Sequence, residues 1–321
     1  MDRNFSLELV RVTEAGAIAA SQWIGRGDEK AADQAAVDAM RKALNTIAFD
    51  GTVVIGEGER DEAPMLYIGE HVGQGGPYPK VDIALDPLEG TTICARGDVN
   101  ALSVLALTNE GGFLHAPDTY MYKLAVGPQG KGIIDIRESA THNLKELARA
   151  NKKEVSQLSV IILDRPRHAD LIQEVRAVGA RVILIRDGDV SAAITTCNPK
   201  AGVDLLIGSG GAPEGVLAAA ALQCLGGEIQ GILQPRNEQE IERAKKMGIR
   251  DIKAVLKMND LAQGRILFSA TGVTDGGWLR GVKRVGGEIF THSIVMRYES
   301  GTIREIKATH QMSKKSKYIY V

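Results

Sequence analysis

Cysteine and net charge are both scarce in this 321-residue sequence. The three cysteines, Cys94, Cys197 and Cys224, are widely spaced and include no CxxC pair. This spacing favours reduced thiols over a disulfide framework or a zinc site. The formal net charge of −1 gives no electrostatic reason to expect nucleic acid or an anionic membrane as a partner.

Long apolar runs and a secretory signal are also missing. No stretch approaches the ~20 apolar residues that a membrane helix needs. The N-terminal segment carries acidic residues early and has no apolar core segment, unlike a signal peptide. The chain contains neither a GxSxG elbow nor a GxxxxGK[ST] phosphate loop, and its six histidines are scattered. We therefore expect a soluble, cytoplasmic protein without a His-ligated metal.

Short β-branched runs alternate with helical patterns along most of the chain. Helices are predicted over residues 13–23 and 33–47, and strand-then-helix units follow from residue 159 onward. This alternation predicts an α/β fold, with a mixed sheet in the N-terminal half and a smaller α/β sheet in the C-terminal half. The predicted domains are residues 1–155 and 156–321. A C-terminal hairpin is predicted to turn at Ser300-Gly301.

The stretch VDIALDPLEGTT, residues 81–92, places two carboxylates at the mouth of a predicted strand. Pro87 biases Asp86 toward an extended backbone and interrupts the strand, so that Glu89 follows on a turn. Two such carboxylates repel each other unless a cation or a proton lies between them. Gly90 and Thr91 offer backbone N–H groups to an anion. The set is typical of metal-assisted phosphoryl chemistry, and a capped turn is the alternative.

Further carboxylates occur at three places in the chain where a ligand site and an ordinary turn or helix end are both possible. Asp33 begins the apolar stripe of its predicted helix, with a helix N-cap as the alternative. Glu57 follows an apolar strand among glycines, together with Glu59, and a plain turn explains both equally well. Glu214 lies in the first turn of an apolar helix, where the helix dipole alone also favours an acid.

Segments after three other predicted strands carry polar groups suited to a ligand. Arg165 and Arg167 flank Pro166 and suit a phosphate, although surface arginines are common. Asp187 and Asp189 suit sugar hydroxyls, or form a simple turn. The glycine-rich LIGSGGAPEGV (206–216) fails as a dinucleotide fingerprint because the third glycine position is occupied by Pro213.

These motifs, taken in order, resemble class II fructose-1,6-bisphosphatase of bacteria. DPLEGT is similar to the DP(I/L)(D/E)(G/S)T signature of the lithium-sensitive, metal-dependent sugar and inositol phosphatases. The fuller set also includes GTVVIGEGERDEAP, HAPDTYMYKLAVGP, RPRH, DGDV and GSGGAPEGV, and extends over almost the whole chain. One departure is His115, where the family pattern has Asn. The resemblance implies a layered αβαβα sandwich, lithium inhibition, and a homodimer or homotetramer.

The resemblance also implies a set of site residues. The implied metal ligands, for Mg²⁺ or Mn²⁺, are Asp33, Glu57, Asp86, Glu89 and Glu214. The implied substrate contacts are Glu89, Gly90, Thr91, Tyr120, Arg165, Pro166, Arg167, Asp187, Gly188, Asp189 and Gly211. Thr91 and Glu89 are the implied catalytic residues, Thr91 by orienting the attacking water.

The function implied is hydrolysis of the 1-phosphate of D-fructose 1,6-bisphosphate by metal-activated water, a step of gluconeogenesis. A sedoheptulose-1,7-bisphosphatase, or a dual-specificity bisphosphatase, is the nearest alternative, since paired arginines cannot separate the two sugars. An inositol monophosphatase fits the arginine pair less well. A non-catalytic sugar-phosphate sensor has little use for several metal-binding carboxylates. A nicotinamide oxidoreductase is disfavoured by Pro213.

Overall fold

The computed structural model describes residues 4–58 and 65–314. Its helices are α1 Phe5–Ala20, α2 Glu29–Leu44, α3 Thr91–Arg96, α4 Ala140–Ala150, α5 Ala169–Ala177, α6 Asp189–Thr195, α7 Ala212–Leu225, α8 Glu238–Lys246 and α9 Met258–Leu261. Its strands are β1 Asp50–Ile55, β2 His71–Val72, β3 Lys80–Glu89, β4 Leu102–Asn109, β5 Tyr120–Val126, β6 Ser159–Leu163, β7 Arg181–Ile185, β8 Leu205–Gly211, β9 Glu228–Gln234, β10 Leu256–Lys257, β11 Leu267–Gly272, β12 Lys283–Val285, β13 Glu288–Arg297 and β14 Thr302–Gln311. The predicted α/β class is confirmed.

The chain forms two compact units. The first comprises residues 1–113 and 264–321, and the second comprises residues 114–263. This division differs from the predicted one at residues 155 and 156. β5 hydrogen-bonds to β8 and β9, so it belongs to the second sheet despite its early position. β11 hydrogen-bonds to β4, which returns the C-terminal strands to the first sheet.

The first unit is built on an eight-stranded mixed sheet. The order is β12-β13-β11-β4-β3-β1-β2, with β14 paired to β13. β1 and β3 run parallel, whereas the other neighbours are antiparallel. The predicted C-terminal hairpin is confirmed, because β13 and β14 pair along their length and Gly301 turns between them with a φ of +59°.

Helix α1 packs on this sheet against β4, β11 and β13, and also against α2. The buried core beneath the two helices includes Leu9, Met40, Phe49, Ile83 and Leu105. α2 begins at Glu29, earlier than predicted, because the Asp28 carboxylate caps the helix by accepting a hydrogen bond from the Ala31 N–H. Asp33 is therefore an interior helical residue and not the N-cap.

The second unit is built on a six-stranded sheet of order β10-β9-β5-β8-β6-β7. β6 runs parallel to β7 and β8, and the remaining pairs are antiparallel. Its core includes Leu124, Leu144, Val160 and Ile207. α7 is apolar around its whole circumference and is almost entirely buried, as predicted from its composition. No helix within residues 4–58 and 65–314 is both long and apolar enough to cross a membrane.

The close packing of α1 leaves no room for a side chain at Gly16. A Cβ placed on Gly16 would lie 2.5 Å from Ser103 Oγ and 2.8 Å from Met40 Cγ. Gly16→Val is expected to lower the free energy of unfolding by about 1–3 kcal/mol, because the added atoms overpack this contact. Urea unfolding measures the change. The matched control is Leu7→Ala on the same helix, where the side chain is 54% exposed and the expected loss is under about 0.5 kcal/mol. Equal losses would contradict the packing argument.

Candidate active site

Strand β3 carries the carboxylates of the DPLEGT segment at its C-terminal end. Asp86 lies opposite Val104 of β4, but Glu89 lies opposite Leu102, so β3 bulges between them. The bulge accommodates Pro87, which cannot donate to the strand ladder. Within it, the Leu88 N–H donates a hydrogen bond of 3.0 Å to Asp86 Oδ1. Glu89 is 3% exposed, so the bulge directs this carboxylate out of bulk water.

Gly90 turns the chain sharply from β3 into helix α3. Its φ of +88° and ψ of +56° lie in the left-handed region, which other residues adopt at a cost. The turn makes Thr91 the first residue of α3, half-buried and two residues after Glu89. The predicted sequence of carboxylate, glycine and hydroxyl is therefore contained in a single turn.

Asp33 and Glu57 are brought together although 24 positions separate them in the numbering. Their side chains share a hydrogen bond, in which one of the two carboxyl groups must carry the proton. Burial, the Asp33 charge and this hydrogen bond raise the pKa of Glu57 to about 8. Burial also raises the pKa of Asp33. Two carboxylates so placed fit a site for a cation, which would replace the shared proton.

Glu214 lies in the second unit, in the first turn of α7. Its carboxylate folds back over Gly211, where any Cβ would collide with it. Its Oε2 is buried and has no hydrogen-bond partner. Burial raises the pKa of Glu214, while the charge of Lys123 opposes the shift. An orphaned, buried carboxylate oxygen fits a metal ligand better than it fits a dipole-stabilising surface acid.

The predicted sugar-binding segment opens helix α6. Gly188, with a φ of +96°, precedes the helix, and its N–H donates to its neighbour Asp187 Oδ1 at 3.0 Å. Asp189 is buried and forms an ion pair with Lys123, a pairing that sequence reasoning did not anticipate. Asp189 also lies over Gly210, which has no room for a Cβ.

The predicted phosphate-binding arginines follow β6. Arg167 donates a 2.7 Å hydrogen bond to the Ser209 carbonyl, and its guanidinium carbon lies 4.7 Å from the centre of the Tyr120 ring. Arg165 is half-buried, and Pro166 is exposed at the start of a short helical turn. The structure thus connects Tyr120 with Arg167, two residues grouped only by resemblance.

His168 holds this segment in place. Its Nδ1 lies 2.8 Å from the Leu163 carbonyl, and its Nε2 accepts a 2.8 Å hydrogen bond from the Ser209 N–H. An accepting Nε2 requires a neutral ring, with the proton on Nδ1. Burial lowers the pKa of His168, which stabilises the same form. The histidine is a structural link between β6 and β8.

Within the described ranges, no three His, Cys, Asp or Glu side chains form a group that could hold a metal ion. The predicted ligand set therefore stays a prediction, the Asp33–Glu57 pair included. The chemistry of its donors nevertheless fits Mg²⁺ or Mn²⁺, since both prefer carboxylate oxygens. Glu59 lies outside the described residues.

The whole-chain comparisons agree with one another. The model of the family described as bacterial fructose-1,6-bisphosphatase, glpX-encoded, matches residues 3–310. The chain belongs to this family. It is 48% identical over 329 aligned positions to fructose-1,6-bisphosphatase 1 class 2 of Escherichia coli K12, covering 98% of this chain and 97% of the relative. Fructose-1,6-bisphosphatase class 2 of Escherichia coli O6:H1 and that of Shigella flexneri match to the same extent. The predicted family and enzyme class are confirmed.

Members of the glpX family are metal-dependent phosphatases.

Sequence reasoning missed one residue that is buried in the second unit. Lys123 is 2% exposed, and its ammonium group contacts Asp189 and donates a 2.8 Å hydrogen bond to the Gly211 carbonyl. The available signal was a lysine inside the otherwise apolar run YKLAV, 122–126. A lysine is almost never fully buried without a partner, so this position called for a nearby carboxylate.

The raised pKa of Glu57 predicts how the metal-free protein responds to pH. A carboxyl group with a folded-state pKa of about 8 and an ordinary value of 4.5 favours the folded state below pH 4.5, and this contribution is lost as the pH rises through 8. Melting temperatures in EDTA should therefore fall more steeply between pH 6 and 9 for the wild type than for Glu57→Gln. Added Mg²⁺ or Mn²⁺ should stabilise the wild type and have a smaller effect on the variant. Parallel pH profiles would count against the shared proton.

Lys123 offers a test of the buried ion pair. Lys123→Met should lower the free energy of unfolding by about 3–5 kcal/mol, because it leaves the Asp189 carboxylate buried and unpaired. Adding Asp189→Asn should recover part of the loss. The matched control is Lys153→Met, whose partner Asp204 lies 2.8 Å away in a more exposed pair, with an expected loss under about 1 kcal/mol. Urea unfolding of the wild type, the two single variants and the double variant measures these free energies. If Lys123→Met loses no more stability than Lys153→Met, the buried ion pair is refuted.

Proposed function

We propose that this protein hydrolyses the 1-phosphate of D-fructose 1,6-bisphosphate, releasing fructose 6-phosphate and inorganic phosphate. The observation that carries the proposal is the 48% identity to class 2 fructose-1,6-bisphosphatase over 98% of the chain. Apart from Asp33, every carboxylate, glycine and arginine of the predicted site lies in the motifs on which the resemblance rests. The substrate is a small-molecule sugar bisphosphate.

The metal is proposed to be Mg²⁺ or Mn²⁺, held by Asp33, Glu57, Asp86, Glu89 and Glu214. When bound, the metal neutralises phosphoryl oxygens and lowers the pKa of a water molecule. Asp33 and Glu57 would release their shared proton when a metal is bound, so that this pair becomes fully anionic only in the loaded site.

Thr91 is proposed to orient the attacking water. Its hydroxyl can accept a hydrogen bond from water and donate one in turn, although it is too weak a base to remove a proton alone. Thr91 is the first residue of α3, directly after Gly90, so that it belongs to the turn whose backbone N–H groups begin the helix. Those donors suit the oxygens of the 1-phosphate.

The groups of the second unit are proposed to bind the rest of the substrate. Arg165 and Arg167 would bind the 6-phosphate, since a guanidinium group presents two N–H donors to two phosphate oxygens. Asp187 would accept hydrogen bonds from sugar hydroxyls, and the ring of Tyr120 would lie beside the phosphate. Binding at this remote end holds the substrate in the site, and so contributes to kcat/KM without joining the chemistry.

The direct test is phosphate release from fructose 1,6-bisphosphate with Mg²⁺, with Mn²⁺ and with EDTA. We expect metal-dependent release that EDTA abolishes. Sedoheptulose 1,7-bisphosphate and inositol 1-phosphate, assayed in parallel, measure the selectivity for the sugar. Binding without release from any substrate under either metal would instead support a sugar-phosphate sensor.

Two substitutions test the residues of the DPLEGT turn. Glu89→Gln and Thr91→Val should each lower kcat by at least ~100-fold, because one removes a ligand charge and the other a hydroxyl that orients water. The matched control is Thr92→Val, which removes the neighbouring hydroxyl of the same helix and should keep a near-normal rate. Circular dichroism verifies that each variant is folded. Equal rates for Thr91→Val and Thr92→Val would remove the assignment of Thr91.

A further inference from the structure

Arg236 lies outside the motifs named above, and its guanidinium group lies over the Tyr120 ring, as that of Arg167 does. The guanidinium carbon of Arg236 lies 5.2 Å from the ring centre, and that of Arg167 lies 4.7 Å from it. Arg236 follows strand β9 and precedes helix α8, on a segment distant in sequence from the RPRH motif. Folding therefore assembles two cationic side chains on one aromatic ring.

A buried carboxylate holds Arg236 in this position. Glu240 Oε1 accepts hydrogen bonds from the Arg236 guanidinium at 2.6 Å, and Glu240 Oε2 accepts one from the Arg236 backbone N–H at 2.8 Å. Thr119 Oγ1 donates a further 2.6 Å hydrogen bond to the same Oε2. Glu240 is 5% exposed, whereas the Arg236 side chain is 54% exposed. Glu240 therefore holds the Nε and Nη2 atoms of Arg236, while much of the arginine side chain stays exposed to solvent.

Stability alone does not account for this arrangement. An exposed ion pair contributes only about 0–1 kcal/mol, and desolvating the Glu240 carboxylate opposes folding. Two guanidinium groups on one ring also repel each other. Arg167 donates its hydrogen bonds to the neutral Ser209 carbonyl, which supplies no negative charge to offset that repulsion. Two carboxylates contribute negative charge near Arg236. Glu240 is hydrogen-bonded to it, and Asp118 is exposed to solvent. An anion bound beside the ring would offset the repulsion.

We propose that Arg236 binds the phosphate group remote from the reaction centre, the 6-phosphate, together with Arg167, and that Glu240 is the positioning residue that aims it. The inference rests on the proposed function for its substrate. Tyr120 acts as the spacer, because its ring contacts both guanidinium groups, and the Nη1 atoms of the two arginines are not the ones that bond Glu240 and Ser209. A planar guanidinium stacks on an aromatic face and binds phosphate through paired N–H donors, which a lysine cannot do in the same geometry.

The decisive experiment compares the wild type with Arg236→Gln on two substrates, fructose 1,6-bisphosphate and fructose 1-phosphate. Loss of one charge-assisted contact should raise KM for the bisphosphate about 10- to 100-fold. kcat should change by no more than about twofold, since a contact made equally in the ground and transition states affects only binding. The parameters for fructose 1-phosphate, which lacks the 6-phosphate, should not change.

A binding measurement gives a second readout that does not need turnover. Fructose 6-phosphate should raise the melting temperature of the wild type, whereas fructose should not. The shift produced by fructose 6-phosphate should be smaller in Arg236→Gln at the same concentration. Glu240→Gln should show the same changes in weaker form, because it misplaces Arg236 without removing it, and Arg236→Lys should recover only part of the affinity.

The matched control is Lys246→Gln, which removes an exposed positive charge from the far end of helix α8. It separates a specific contact from a general loss of positive charge, and it should behave as the wild type. A normal KM and a normal fructose 6-phosphate shift in Arg236→Gln would overturn the inference. Equal losses on both substrates would indicate a structural role and would overturn it as well. A wild type that binds fructose 6-phosphate through Arg236 but releases no phosphate would refute the proposed function alone.

Discussion

Carboxylates held partly out of water are the constraint on which the rest of this structure depends. Asp33 and Glu57 hydrogen-bond to each other, and Glu214 keeps a buried oxygen without a donor. Each arrangement opposes folding of the metal-free chain, through desolvation and through repulsion between like charges. The surrounding backbone is shaped to permit it. A bulge in β3 turns Glu89 inward, and Gly211 leaves the space that the Glu214 carboxylate occupies.

The protein offsets part of this cost with cations of its own. Lys123 is buried in the second unit, where it forms an ion pair with Asp189. Its charge also opposes the rise in the pKa of Glu214. Glu240 and Arg236 form a second pair, in which the acid is the buried partner and the arginine is the exposed one. The two pairs differ in consequence. The first makes a buried polar centre possible, whereas the second holds a cation at the surface, where a ligand can reach it.

The sequence predicted the elements of the fold better than their assembly. The apolar character of α7 and the hairpin of β13 and β14 follow from local patterns, since each depends on residues close in sequence. The division of the chain did not follow, because β5 pairs with strands more than 80 positions later, and β11 returns to β4. Strand pairing over such separations leaves no periodic signal. The start of α2 differs for a local reason: the apolar stripe begins at Asp33, whereas the Asp28 side chain caps the helix about one turn earlier.

The sequence by itself determined the family and the α/β class and predicted the chemistry of the candidate site, because short motifs can be read from the order of residues alone. Asp86, Glu89 and Thr91 could be selected from spacing alone, since they occupy one turn. Only the tertiary structure decided that Asp33 meets Glu57, that Lys123 meets Asp189, and that Arg236 shares a ring with Arg167. These are contacts between distant segments. Their geometry is set by packing and by the pairing of buried charges, and no local pattern records it.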